Sequence, residues 1–261
     1  MIIQLTQSLG EVSLRFLNIF YEALYFAYQC LHKLVQKRSY NSAMREILVK
    51  QIYFTAIQVL PLILFIGIIL GTILIPTIVH FSLEYALKDH IGTFIIHIIL
   101  NELAPLSLVL LIALRSGAAI NTEISVMKVS NELNTLKSFN INIIEYLFLP
   151  RILAGIISVT LLTFLLSIII LLSGYIYLFF FFKAGADLYI RTLIHAISMN
   201  DFLMLFIKSI LFGFFATLIP IYSALGSSKS YTGIPIAVLN GMVKLIIAII
   251  SIEVILLLIQ Y

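Results

Sequence analysis

Tryptophan is absent from this chain, cysteine occurs once, and charged side chains make up only 11% of its 261 residues. The lone Cys30 excludes an intrachain disulfide and any multi-cysteine metal site. A small buried hydrophobe is the expectation for it, rather than a reactive thiol. Without tryptophan, the thirteen tyrosines are left as membrane-interface anchors. The scarcity of charge excludes more. An ordinary soluble domain has about 25% charged and about 45–50% apolar residues, whereas this chain is 62% hydrophobic with a mean hydropathy of +1.13. So much apolar surface cannot be hidden in one globular core. The reading is an all-α integral membrane protein with the bilayer as solvent. The net charge of +4 then belongs to loops on one side of the membrane, not to nucleic-acid binding.

Motifs of chemistry are missing too. No G-x-x-x-x-G-K-[ST] occurs, and GSSKS at 226–230 is too short for a phosphate-binding loop. There is no H-E-x-x-H and no G-x-S-x-G. The histidines at 32, 80, 90, 97 and 195 share no metal-ligand spacing. The chain is therefore expected to have no catalytic residues and no cofactor or metal of its own. If it uses ATP, another chain must bind the nucleotide. MIIQLTQSLGEV at the start has no basic n-region, so no cleavable signal peptide is expected.

What is present is a set of long apolar runs. Residues 52–79, 93–117, 152–182, 202–225 and 234–259 each exceed the ~20 residues that cross ~30 Å of hydrocarbon as a helix. The third is the longest and must tilt, bend at Gly174 or project beyond the membrane. In the first, Gly67 and Gly71 form a G-x-x-x-G pair that lets another helix approach closely. Eleven of the sixteen Lys and Arg fall on the side of the N-terminus, three on the other, and Lys208 and Lys244 lie inside spans. Positive-inside places the N-terminus in the cytoplasm and the C-terminus outside.

Residues 1–51 read as a separate N-terminal interfacial region, with the five-span membrane domain from 52 to 261. Within the former, Leu9, Val12, Phe16, Phe20, Leu24, Leu31 and Val35 recur at helical spacing opposite Arg15, Asn18, Glu22, Gln29, Lys33 and Gln36. This suits a helix lying in the interface, with packing on a partner as the other option. Residues 183–201 read as a short amphipathic excursion on the far side.

A polar island, RSGAAINTEISVMKVSNELNTLKSF, interrupts the apolar runs after the second span. Ile120, Ile124 and Met127 share one helical face, and Val129, Leu133 and Leu136 share another roughly half a turn away. One straight helix presents no single stripe here. A break near Ser125–Ser130 is expected, with Ser130 as N-cap of a short helix, Glu132 in its first turn and Asn140 as its left-handed C′ residue. The apolar face of Val129, Leu133, Leu136 and Phe139 packs either on the chain's own spans or in a groove on a cytoplasmic partner.

Ionisable residues inside spans cost ~2.5–3.5 kcal/mol each at mid-bilayer, so they face a cavity or a partner. Glu102 lies about 14 Å, and Lys208 and Glu253 about 9 Å, from the outer ends of their spans at ~1.5 Å per residue. Lys208 is expected to pair with Glu102 or Glu253 beside an outward-opening cavity, or else to snorkel to the interface.

The stretches NELAPLSLVLLIALRSGAAINTEISVMKVSNELNTL, YLFLPRILAGIISVTLLT and DFLMLFIKSILFGF resemble the MlaE-type permease family over roughly residues 45–261. The chain keeps that family's Glu123, Met127, Val129, Glu132 and Leu136. It carries Ser125 for Gly, Asn131 for an acid, Asn134 for Asp, Thr135 for Ala and Asn140 for Gly, and Asn101 stands for Arg in the family's R-E-L-G-P. The resemblance implies the membrane subunit of an ABC system that moves phospholipids or similar lipids. Its short cytoplasmic helix would be a coupling helix, giving Val129, Glu132, Leu133, Leu136 and Phe139 a role in ATPase coupling. Asn101, Glu102, Lys208 and Glu253 would be the polar groups of a lipid cavity. The implied partners are a second copy, ABC ATPase subunits carrying ATP and Mg, an extracytoplasmic MCE-type lipid-binding protein and phospholipid. The implied location is a bacterial inner membrane in preference to a plastid envelope. Two other classes stay open on the residues alone: a self-contained ion-coupled transporter with Glu102 or Glu253 as proton carrier, and a scaffold whose short helix only anchors a cytoplasmic protein.

Overall fold

A computed structural model describes residues 21–34, 36 and 42–260, and among these every regular element is helical. Lipid offers the backbone no hydrogen-bond partner, so an apolar chain satisfies its N–H and C=O groups within helices. Five helical runs are long and apolar enough to cross a membrane: Met44–Glu84, Lys88–Val129, Ile144–Phe181, Met199–Leu225 and Gly233–Gln260. All five expected spans are present, and the second overruns its expected limits most. Its 42 residues reach about 63 Å at ~1.5 Å per residue, about twice a hydrocarbon core.

The first run is interrupted rather than uniform. A helix Ser42–Thr55 passes into a tight turn at Ile57–Val59, and the helix Leu60–Glu84 follows with Pro61 at its start. Pro61 has no N–H to offer the Ile57 carbonyl, and the Leu60 N–H takes that carbonyl instead. The break therefore lies at 56–59, and position 51 is inside a helix.

The third run is central. Its helix Leu149–Phe181 packs against the first, fourth and second spans and continues unbroken through Gly174. That glycine makes room for Ile75 of the first span. Gly71 in turn lies against Ile170 and Ser173 of the third, and Ser173 Oγ donates to the Gly67 carbonyl at 3.4 Å. Between helices in lipid there is little hydrophobic drive, so such close approach supplies the attraction.

The helix at residues 21–34 lies against the bundle through Phe26, Ala27, Cys30 and Leu34. Leu24 and Leu31, on the apolar face expected to lie in the interface, are exposed, together with Tyr21 and Tyr28. The helix thus has two apolar faces, one against protein and one free for lipid, because Ala27 and Cys30 are small enough to seat it closely. Leu9, Val12, Phe16, Phe20 and Val35 lie outside the described residues. At the opposite end, Lys183–Ala196 forms a helix whose Tyr189 is buried and donates to the Leu171 carbonyl. The fifth span keeps a continuous apolar face, Leu239, Val243, Ile247, Ile250 and Val254, uncovered by the described residues.

Candidate functional site

The second span carries Asn101 and Glu102 in a wide π-helical stretch, Ile96–Leu103. Such turns insert an extra residue and re-aim side chains, and they recur at functional sites. In an α-helix the Asn101 carbonyl would be taken by the N–H of residue 105. That residue is Pro105, which has none. The Lys208 ammonium from the fourth span occupies the acceptor at 2.9 Å. Lys208 is fully buried and also holds Glu102 Oε2 at 2.8 Å and Glu253 Oε1 of the fifth span at 3.2 Å. One cation thereby ties three spans together. Both carboxylates, which sequence reasoning offered as alternatives, meet it.

The remaining oxygens, Glu102 Oε1 and Glu253 Oε2, are buried and accept no hydrogen bond from the described residues. Glu102 keeps 23% of its side chain exposed and Glu253 10%. Beside this cluster, Asn101 Nδ2 donates to Asp201 Oδ1 at 2.9 Å. The other oxygen of Asp201 accepts from the Ser198 N–H and hydroxyl, and the Ser198 hydroxyl in turn accepts from the Asp201 N–H, capping the fourth span. The Asn101–Asp201 bond was missed at the level of sequence. Ser198-x-x-Asp201 is a readable capping pattern, but its link to Asn101 crosses a hundred residues.

At the other end of the bundle the helix of the second span runs to Val129, turns at Ser130–Asn131 and resumes as Glu132–Ser138. The break is narrower than expected, and its pivot is Asn131 at φ 62 rather than a Ser130 N-cap. Asparagine tolerates this left-handed backbone because its short polar side chain bonds locally; here Asn131 Oδ1 accepts from Asn134. Asn140 has φ 57, with its N–H on the Lys137 carbonyl and the Ile141 N–H on the Leu136 carbonyl. That pair of bonds is a Schellman ending.

Of the two destinations open to the short helix's apolar face, Leu133 takes the chain's own bundle. It is 7% exposed and packs among Cys30, Ile124 and Ile143. Leu136 is half-buried against the same cluster, and Val129 is half-buried. Glu132 is exposed, and Phe139 is 73% exposed. Only the last two face outward. Two further links fasten this end. Lys128 Nζ donates to the carbonyls of Leu225 and Ser227 at the close of the fourth span, where helix dipoles favour a cation. Buried Arg151 pairs with Glu123, while its Nε and Nη1 meet no acceptor among the described residues.

Among the described residues no three His, Cys, Asp or Glu side chains gather as metal ligands. What the arrangement can do is hold polar groups inside a membrane and join them, through one helix, to a short helix at the far end.

Comparison with known proteins places these features in a family. The profile described as Permease MlaE matches residues 48–259. The "Probable ABC transporter permease protein" of Rickettsia felis is 24% identical over 245 residues, covering 94% of this chain and 93% of its own length. The "Intermembrane phospholipid transport system permease protein MlaE" of Haemophilus influenzae is 27% identical over 215 residues, 80% of this chain and 81% of its own. A "Probable ABC transporter permease protein ycf63" of Pyropia yezoensis is 23% identical over 200 residues, 76% of each. The profile match runs through both the Lys208 cluster and the short helix, and the chain belongs to the MlaE permease family.

Proposed function

We propose that this chain is the permease subunit of an ATP-driven ABC transporter that moves phospholipids or similar lipids between membranes. One observation carries the reading. Glu102 and Val129 lie on a single helical run, about 40 Å apart at ~1.5 Å per residue. A push on the short helix therefore reaches the Lys208 cluster through a continuous element. Large apolar side chains around a few polar groups suit acyl chains with a head group better than a small ion.

In this reading two copies enclose the lipid, and the exposed faces of the first span, through Leu62, Phe65, Ile69 and Ile73, and of the fifth are where a second copy or lipid would lie. ATPase subunits, which would hold ATP and Mg, act on Glu132–Ser138. Glu132 and Phe139 make the outward contacts, while Leu133 and Leu136 anchor the helix and Val129 leads into it. Asn101, Glu102, Lys208 and Glu253 line the lipid cavity. An extracytoplasmic MCE-type protein exchanges lipid at that end. The excess of Lys and Arg near the short helix supports a cytoplasmic N-terminus and a periplasmic C-terminus in a bacterial inner membrane.

The test is copurification followed by reconstitution. Stoichiometric recovery of an ATPase, with ATP-dependent transfer of a fluorescent phospholipid that Phe139→Asp abolishes, supports the reading. Lipid transfer by the purified chain alone, driven by a proton gradient, would overturn it.

A further inference from the structure

A cavity of about 360 Å³ opens at the end of the bundle that carries the short helix. It lies between the helix at residues 21–34, the short helix, the start of the third run and the close of the fourth. Phe26, Leu133, Ile143 and Phe148 give it apolar walls. Lys128, Lys137 and Lys229 also line it, and no Asp or Glu does.

Two acids adjoin the lining in sequence: Glu132, beside Leu133, accepts from the Ser130 hydroxyl at 2.8 Å, and Glu145, beside Ile144, is held by Lys33 at 2.6 Å. Lys128 donates only to backbone carbonyls. Lys137 and Lys229 are exposed and bond to no acid among the described residues. Three ammonium groups thus share one cavity with no counter-charge lining it among the described residues. Like charges at close quarters disfavour one another, most of all where walls exclude water. An anion in the cavity removes that penalty.

The walls narrow the choice of anion. Most of the lining is hydrocarbon, so the ligand has an apolar portion next to its charge. The volume is at the low end of the roughly 300–1,000 Å³ of small-molecule sites, enough for a phosphate and glycerol but not for whole acyl chains. The helix at 21–34 exposes Leu24, Tyr28 and Leu31, apolar surface for chains left outside. The site lies at the ends of membrane spans, where acidic headgroups meet basic pockets between helices.

We propose that this cavity binds the phosphate-bearing headgroup of an acidic phospholipid as a resident ligand. The site is at the opposite end of the bundle from the Lys208 cluster and does not depend on what that cluster transports. A bound lipid there cross-braces the short helix to the fourth span and the N-terminal helix.

The test uses the full chain in nanodiscs of phosphatidylcholine alone and of phosphatidylcholine with phosphatidylglycerol. Reductive methylation of each lysine is followed by mass spectrometry. Phosphatidylglycerol is expected to slow labelling of Lys137 and Lys229 about fivefold, the effect of ~1 kcal/mol per basic residue at an anionic surface. Lys183, at the far end, serves as the control for general surface charge and changes much less. The double variant Lys137→Gln/Lys229→Gln, both exposed and free of folding contacts, should lose phosphatidylglycerol retention in native mass spectrometry. Equal labelling in both nanodiscs overturns the proposal. So does equal protection by inorganic phosphate in phosphatidylcholine alone, which marks a free-anion site. Protection that arises only when an acidic protein partner is added overturns it as well.

Discussion

Lys208 donates to the carbonyl oxygen of Asn101 at 2.9 Å, the carbonyl whose α-helical partner is replaced by Pro105. A proline in one span thereby creates the acceptor that seats a buried cation from another. Replacing Lys208 with Met leaves that acceptor empty and two carboxylates buried without a cation. Breaking a buried pair in this way costs about 3–5 kcal/mol. A fall in the detergent melting temperature is expected, largely restored when Glu253→Gln and Glu102→Gln are added. An unchanged melting temperature in the single variant would remove the cluster from the forces that join the spans.

Gly71 touches the backbone of Ile170 in the third span. A side chain there must separate the two helices, and overpacking of this kind costs about 1–3 kcal/mol or more. Gly71→Val and Gly174→Val should each lower the melting temperature and broaden the size-exclusion peak. Gly226→Ala, where a Cβ meets only ordinary contacts, should do neither.

Asn140 ends the short helix at φ 57. Asn140→Gly relieves the Cβ at that backbone angle and should be neutral or slightly stabilising. Asn140→Val should cost about 1–2 kcal/mol and fray the turn before Ile141. Amide hydrogen exchange across residues 136–145 reads the difference directly, with faster exchange expected only in the valine variant.

Burial pushes the Cys30 thiol up from 9.0 to about 12. The neutral thiol is the form the fold favours. Its contribution to stability is complete below pH 9 and is lost as pH rises toward 12. Maleimide labelling of the folded protein should stay low and flat from pH 7 to pH 9, whereas the denatured chain should label steeply faster over that range. Rapid labelling of the folded protein would show that Phe26 and Cys30 do not seat the N-terminal helix on the bundle.

The five spans are legible because each is an apolar run longer than the membrane is thick. Their ends are less so, for a physical reason. Hydropathy measures the hydrocarbon to be crossed, while the helix continues wherever backbone bonds can be made. The second span accordingly runs from Lys88 to Val129 although its apolar stretch is 93–117. The Lys208 meeting is legible because ionisable groups in lipid need one another. The Asn101–Asp201 bond is not, since a buried asparagine has many possible partners and only tertiary geometry selects one. Leu133 shows the other limit. Its stripe announces an apolar face but not what covers it, and the small Cys30 opposite is what allows the chain to cover it itself.

The wide turns at Ile96–Leu103 have a consequence for register. Each residue of an α-helix advances the chain by about 100°, and a π-helical turn absorbs one extra residue without passing that rotation on. Deleting one residue within this stretch would let it relax to ordinary α-helix and keep Pro105 and everything after it in phase. The residues before it, with the Gly92 contact to Thr192, would keep their phase as well, whereas the same deletion in the α-helical stretch Ala104–Ile112 would turn the two flanks by about 100° relative to one another. The second span in this sense carries one residue of slack, and that slack sits beside the buried lysine.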